Sequence, residues 1–510
     1  MNIKDLVLPI AIGFLTVITL HYFFPTKQQK EVESSFVAPQ EQIKPLHVEI
    51  DFFDEKRTKE AAIISVETEW SSLSFSTDGA CLTSLDYKRE LNGKSHNIQT
   101  MLPQLESNKE DKCFLLALNE KTPWYYTLLS LQENKDSHEI IYAASNDECV
   151  VQKIFIIDKQ FPKIDLSIEV APKNGKKIEI EPRLFLPAPF MANIQDSDMI
   201  SSIVIDQNNV FTKESINKLN TMRGWLKPKL FGADNRYFIH SLIDDNDHFT
   251  QRAYYTIKDH GRFISIMEGP TITEKTAWKM SFYMGPKELH SIAAVDQRLE
   301  QTLDYSGMLS FLAKIMLFIL NWLYSYVHNY GFAIIILTLL IQLLLLPVSL
   351  RSNEEKFKKQ HMEYQRELAY IEQRFKDQPD RLLAERTALI KKKGLPGFGC
   401  LLPLLIQLPI FFALSRVLSS SFELYQAPML WIPDLSLRDP YYILPILVVL
   451  SMLIQDINTS DPQQRMSKIM MAFLFGAITS SFSAGLTLYI CMSRIFGFIQ
   501  SKIMNYFKLV

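Results

Sequence analysis

The sequence predicts a multi-domain membrane protein: an α-helical bundle of five core transmembrane helices plus an N-terminal anchor helix, with a large extracytoplasmic antiparallel β-sandwich. Three observations carry this. Apolar stretches long enough to span a bilayer crowd the last third of the chain. Short alternating stretches fill the middle. Between two of the apolar stretches, Arg351 to Phe398 holds twelve Lys/Arg against eight acids. Cationic loops of this length stay on the cytoplasmic face, so this segment orients its neighbours.

At 510 residues and 59.0 kDa the chain has room for more than one domain. A net charge of −2 gives no global basic field of the kind that binds nucleic acid. Mean hydropathy of +0.01 averages a soluble half with a membrane half. Five cysteines stand at Cys81, Cys113, Cys149, Cys400 and Cys491, with no CxxC pair to suggest metal or thioredoxin chemistry. The first three leave room for at most one disulfide.

Residues 1–25 read as the anchor. Leu6 to Phe24 is about nineteen mostly apolar residues, enough to cross roughly 30 Å of hydrocarbon. Its exit, His21 to Pro25, lacks the small residues a signal peptidase needs, which favours an uncleaved span. Residues 26–59, charged and Pro-punctuated, read as a linker.

Residues 60–290 read as one sandwich. The stretches Ala62–Glu67, Ser72–Ser76, Glu139–Ala143, Val150–Ile157, Lys163–Val170, Lys177–Pro182, Gln251–Ile257 and Ala277–Met284 alternate and are bounded by turn residues. Nothing in them looks catalytic. His240, Asp244, Asp245, Asp247 and His248 come nearest to a metal cluster, but such an acidic loop beside a strand reads as a solvated turn.

Residues 305–330 read as an interfacial amphipathic helix. Lys314, Asn321 and the aromatic cluster Trp322, Tyr324, Tyr326 and Tyr330 suit the membrane–water boundary. The core, 331–510, has spans at 331–350, 400–418, 441–455, 469–483 and 485–501. Alternation from the cytoplasmic loop 351–398 places the sandwich outside and both termini inside. Charges agree: the outer loop carries only Arg438 against Glu423, Asp434 and Asp439, and the inner loop carries Arg465 and Lys468.

The loop itself reads as an αα-hairpin, Glu354–Phe375 and Asp380–Lys391, broken where Pro379 disfavours helical backbone at Gln378. Its sparse apolar positions make it a solvated, mobile pair suited to an incoming chain or lipid headgroups.

Polar residues inside the spans mark candidate function. Thr338 and Gln342 lie four residues apart on one face of the second span, with Ser349 beyond. Gln407 sits between Pro403 and Pro409. Thr487, Cys491 and Arg494 share a face of the last span. At 1.5 Å per residue, Gln342 lies about 13 Å above Arg351, Gln407 about 10 Å above Cys400, and Arg494 about 12 Å above Lys502. Each also has a structural reading: Gln407 could bond a neighbouring helix, and Arg494 could snorkel to headgroups. The functional reading is a wet, cytoplasm-facing cavity roofed by apolar packing. The last three spans are short, about fourteen to seventeen residues, and short helices thin the bilayer.

Three stretches resemble the YidC/Oxa/Alb family of membrane protein insertases: Gly397-Phe-Gly-Cys-Leu-Leu-Pro-Leu-Leu-Ile-Gln-Leu-Pro-Ile-Phe-Phe-Ala-Leu414, then Gln426 to Ile446 with its Ala-Pro-Met-Leu-Trp-Ile-Pro-Asp run, and Ala484-Gly-Leu-Thr-Leu-Tyr489. The six-span layout with an outer sandwich resembles the Gram-negative YidC form, which implies a periplasmic β-supersandwich of the galactose-mutarotase type and an inner-membrane location. The resemblance implies a hydrophilic groove that draws in nascent membrane proteins and releases them to membrane lipids, working alone or with the Sec translocon and the ribosome. It implies no enzyme activity and no cofactor.

Matched by position, Thr338, Gln342, Gln407 and Tyr489 fall on groove-lining sites, and Thr487 and Arg494 are added from depth. Where the family usually carries an Arg, this chain has Gln342. The expectation is that Arg494 supplies that charge. Only Lys502 and Lys508 follow the last span, so tail-mediated ribosome docking is not expected. The alternative is a secondary transporter with an outer solute-capturing domain. It would require repeated halves and paired ionisable groups at midplane, which the spans lack.

Overall fold

The computed structural model describes residues 61–91, 94–101, 112–118, 124–173, 179–190, 200–219, 223–258, 262–303, 310–351, 354–375, 378–393, 398–456 and 462–506. The predicted anchor at 1–25 and linker at 26–59 lie outside these residues. The chain divides into two compact units, one reaching to Thr302 and the other built mainly from Leu303 onward.

The first unit is antiparallel β. Its strands are β1 (Ile63–Glu67), β2 (Ser71–Ser76), β3 (Cys81–Leu91), β4 (Lys94–Gln99), β5 (Leu115–Ala117) and β6 (Thr127–Glu133). Next come β7 (Ser137–Ser145), β8 (Cys149–Asp158), β9 (Lys163–Pro172), β10 (Arg183–Pro187), β11 (Ser201–Ile205) and β12 (Phe211–Ser215). The last are β13 (Gly224–Leu226), β14 (Leu230–Asp234), β15 (Phe238–Asp245), β16 (Arg252–Lys258), β17 (Arg262–Glu268) and β18 (Thr276–Pro286). They form a four-stranded sheet β1-β2-β3-β4, a five-stranded sheet β13-β16-β17-β10-β5, and a nine-stranded sheet β12-β11-β14-β15-β18-β9-β8-β7-β6.

Burial follows sequence pattern where one face is wet. β7, β8 and β9 alternate buried and half-buried residues along almost their whole length, as period-2 strands with one core face should. β10, β11 and β14 are buried at every position, so they have no alternation to detect. The predicted strand Lys177–Pro182 is corrected. Among its described residues, only Ile180 pairs, in an isolated bridge to Ile272, and the strand begins at Arg183. Pro182 has no N–H to donate to a ladder.

Aromatic packing joins the sheets. Phe155 on β8 meets Phe75 on β2 at 5.0 Å, and Phe114 meets Phe282 on β18 at 4.9 Å between ring centres. Tyr255 on β16 stacks on Phe231 of β14 at 4.5 Å and on Phe263 of β17 at 4.8 Å. Its hydroxyl donates to the Gly232 carbonyl at 2.7 Å. Gly232 is required there, because a Cβ would sit 2.2 Å from the His240 carbonyl oxygen.

Charged groups are also built into this core. Lys153 on β8 is fully buried, and its ammonium donates to the carbonyls of Gly79, Ala80 and Phe114 at 2.9, 3.0 and 2.7 Å. Those three residues all have positive φ. Burial pushes the Lys153 pKa down to about 7. The buried Asp234 carboxylate receives Lys213 at 2.9 Å and Lys287 at 2.5 Å.

The candidate acidic turn resolves into hydrogen bonding. Asp245 accepts from the backbone N–H groups of Phe249 and Thr250, and Asp247 accepts from that of Lys279. His240 lies on β15, buried, with Nδ1 3.0 Å from the Pro187 carbonyl. After β18 come α1 (Leu289–Val295) and a 3-10 turn, Gln297–Thr302, held by Arg298, whose guanidinium donates to the carbonyls of Ile243 and Lys229.

The second unit is helical: α2 (Ser310–Val327), α3 (Tyr330–Arg351), α4 (Glu354–Arg374), α5 (Pro379–Lys393), α6 (Phe398–Ser420), α7 (Ile443–Asp456), α8 (Pro462–Thr479) and α9 (Ala484–Tyr506). α2 buries Ala313, Leu317, Leu320 and Leu323 and exposes Phe311, Phe318, Trp322 and Tyr326, a two-faced helix. Pro379 opens α5. Among the described residues, no helix is long and apolar enough to count as a membrane span.

Candidate functional site

α3, α6 and α9 bring the predicted polar residues together. α9 carries Tyr489 and Ser493 four residues apart, so they share a face and differ in height by about 6 Å. Gln342 of α3 donates from Nε2 to Ser493 Oγ at 2.6 Å. Gln407 of α6 donates from Nε2 to Tyr489 Oη at 2.5 Å. Two hydrogen-bonded rungs thus link three helices along one strip of α9. Tyr489 is buried, and Gln342, Gln407 and Ser493 are half-buried.

Thr338 stands one turn from Gln342, fully buried, and its hydroxyl donates back to the Ile334 carbonyl at 2.6 Å. Thr487 and Arg494 lie elsewhere. The Thr487 hydroxyl is 3.2 Å from the Thr479 carbonyl of α8 and 3.0 Å from that of Ser483. The Arg494 guanidinium stands over the Phe475 ring of α8, 5.7 Å from its centre. Neighbouring residues on a helix point about 100° apart, so Arg494 leaves α9 about 100° round from Ser493. Ser493 was missed by sequence reasoning. Its signal was the four-residue spacing from Tyr489. The side chain of Ser349 lies outside the described residues.

The end of the unit nearest Gly331 and Gly485 is closed by the segment 421–442. Phe422, Leu424, Ala427, Met429, Ile432 and Leu435 within it are all buried. The Ala484 and Gly485 N–H groups donate to the carbonyls of Leu437 and Leu435 at 2.6 and 2.8 Å, and Asn329 donates to that of Pro428 at 3.2 Å. Asp439 tethers the start of α7 by accepting from the N–H groups of Tyr441 and Leu444. Gly331 is needed under this roof: a Cβ there would lie 2.0 Å from Met429 Sδ. Along α3, Gln342 lies eleven residues beyond Gly331, about 16 Å below the roof.

Outward faces of the same helices are apolar. Leu339, Leu340, Leu343 and Leu344 of α3 are exposed, as are Ile446, Leu447, Leu450 and Ile454 of α7 and Met470, Met471, Phe473, Leu474 and Ile478 of α8. The hairpin α4–α5 is held differently, by a buried Tyr364 and Leu389 and an Arg386–Glu372 ion pair.

Comparison with known proteins bears on both units. A family model described as the YidC periplasmic domain matches residues 63–319, and one described as the 60Kd inner membrane protein matches 322–509. The membrane protein insertase YidC of Geotalea uraniireducens (strain Rf4) is 26% identical over 98% of this chain and 99% of its own length. That of Thioalkalivibrio sulfidiphilus (strain HL-EbGR7) is 40% identical over 44% of this chain, spanning 41% of that protein. A solved structure titled as an active YidC insertase with the first transmembrane domain resolved is 14% identical, with TM-score 0.34, covering 88% of this chain and 94% of that one.

Proposed function

The chain belongs to the YidC family of membrane protein insertases, and from that membership we propose that the rungs on α9 line a groove through which nascent membrane proteins enter the inner membrane. The observation that carries this reading is the two-rung arrangement Gln342–Ser493 and Gln407–Tyr489, under an apolar roof and among helices with apolar outer faces. Contiguous exposed leucine and phenylalanine faces are costly in water and are at home in lipid. At 22 and 23 residues, α3 and α6 would each reach about 33–35 Å, comparable in length to the roughly 30 Å hydrocarbon core.

In this account five helices, α3 and α6–α9, cross the membrane, and α2 lies in the interface. The sandwich is periplasmic and the hairpin cytoplasmic. A substrate helix partitions into lipid, gaining about 25 cal/mol per Å² of apolar surface removed from water. The polar terminus it drags along needs hydrogen-bond partners partway across, and the rungs offer amides and hydroxyls at that level. The groove is open to the cytoplasm and closed at the roof, so the terminus is received from one side. Roof residues must yield for it to pass. Working partners are nascent membrane proteins and lipids, with the Sec translocon and ribosome acting upstream.

A solute transporter would need ionisable groups paired at this depth. Among the described residues, the rungs pair amides with hydroxyls only. Photo-crosslinkers placed at positions 342, 407 and 493 should capture a ribosome-stalled membrane protein, and one at Leu344 should capture mainly lipid. Equal capture of a stalled soluble protein would reject the reading.

A further inference from the structure

Within the roof segment 421–442, the exposed residues are Leu430, Pro433, Arg438, Pro440, Tyr441 and Tyr442. That set holds no acid, amide or aliphatic hydroxyl. The three acids of the segment, Glu423, Asp434 and Asp439, are all buried. Asp434 accepts from the Ser436 N–H at 2.8 Å and from its hydroxyl at 2.6 Å. Asp439 accepts from the N–H groups of Tyr441 and Leu444 and from the Trp431 indole N–H at 3.2 Å. The roof therefore presents one cation outward, among apolar and aromatic groups.

Leu430 stands at its tip. Met429 and Ile432 exchange both backbone hydrogen bonds at 2.8 Å, which makes 429–432 a tight two-residue turn. Leu430 fills the first corner at φ 50°, in left-handed backbone that glycine adopts freely and a bulky side chain does not. It is also 76% exposed. Both features are unfavourable in water, and a glycine at this corner would remove both. Tyr442, exposed and at φ 56°, repeats the combination just before α7. Strain of this kind persists where it presents a side chain to something.

We infer that this face of the roof is seated in the periplasmic leaflet, with Leu430, Tyr441 and Tyr442 among the upper acyl chains and Arg438 at the level of the phosphates. This rests on the membrane orientation proposed above and adds a lipid contact that pins the roof. Lipid fits the face better than a second protein for three reasons. Tyr441 and Tyr442 lead directly into the exposed apolar face of α7, formed by Ile446, Leu447, Leu450 and Ile454, which that orientation places in hydrocarbon. Rings with a polar tip are favoured where headgroups meet acyl chains, and a lone cation beside them suits a layer of phosphates. The two exposed prolines bring no N–H that would need a partner there.

The test uses the full-length protein in phospholipid vesicles, with one environment-sensitive fluorescent amino acid at a time at position 430, 441, 344 or 148. Quenching by lipids brominated along the acyl chain is compared with quenching by iodide present on both sides. Labels at 430 and 441 should lose most of their emission to bromolipid and little to iodide, as should one at Leu344. A label replacing Glu148, exposed on the sandwich, should do the reverse. Leu430→Asp should turn the label at 441 toward iodide, and an unmoved label would deny Leu430 its anchoring role. Iodide quenching at 430 or 441, with 344 still quenched by lipid, would overturn the inference. Protection of 430 and 441 from both quenchers would also overturn it and assign the face to a protein contact. Iodide quenching at 344 would defeat the membrane orientation itself, and the lipid contact with it.

Discussion

The buried charges of the sandwich and the neutral rungs of the helical unit hold their polar groups in different ways. In the sandwich, two buried charged groups are multiply paired: Lys153 donates to three carbonyls, and Asp234 holds two lysines. In the helical unit, the rungs are neutral, each closed among the described residues by a single hydrogen bond. A saturated charge inside a packed core is strongly destabilising to break, because its partner is left bare in low dielectric. A neutral pair breaks at about 0.5–1.5 kcal/mol and can be remade with a substrate. On the proposed function, the difference separates a scaffold that stays shut from a surface that opens.

The largest expected effect lies in the scaffold. Lys153→Met keeps an unbranched apolar stem, one atom shorter, and strands three carbonyls. It should cost about 3–5 kcal/mol of stability, read as a fall in the sandwich's thermal midpoint in the full-length protein. A loss below 1 kcal/mol would erase the contrast between the units.

Acidification should also strike the sandwich. Burial holds His240 at about 4, below its ordinary 6.5, so the native state keeps it neutral while the unfolded chain protonates. Its contribution is fully present above pH 6.5 and is lost as pH falls toward 4, by up to about 1.4 kcal/mol per pH unit. Urea midpoints at pH 7, 6 and 5 should drop more steeply for the native chain than for His240→Gln.

Gly331→Ala probes the roof. The added methyl has no room beside Met429, and overpacking of this kind costs about 1–3 kcal/mol. The companion change Met429→Ala should restore part of that loss. If it restores nothing, the roof is not packed as described.

The smallest stability effect should come from the rungs. Ser493→Ala and Gln407→Ala should each shift the folding midpoint by about 1 kcal/mol or less, yet reduce insertion in a depletion-rescue assay more than Arg494→Ala does. The opposite ranking would return the central role to Arg494.

Sequence pattern revealed these units unequally. β7, β8 and β9 show plain alternation because one face is wet, and Thr338, Gln342, Gln407 and Tyr489 stand out as polar letters in apolar runs. β10, β11 and β14 are buried on both faces, so alternation vanishes. Strand-like spacing at Lys177–Pro182 carried no information about whether a partner ladder would reach it. Arg494 drew attention because charge in an apolar helix is conspicuous, whereas Ser493 is a small hydroxyl that such helices tolerate anywhere. Only the azimuth of α9 against α3, set by tertiary packing, separates the two.

Water reaching the rungs from one side is the condition on which the groove depends. Gln342→Cys, Gln407→Cys and Ser493→Cys, each made in a chain with its native cysteines replaced, should react with a charged, membrane-impermeant thiol reagent supplied from the cytoplasmic side. They should stay unreactive from the other side, and Leu344→Cys should resist both. Protection of all three rung positions from both sides would mean a dry, sealed interface, and the helical unit would then have no groove for a polar terminus to enter.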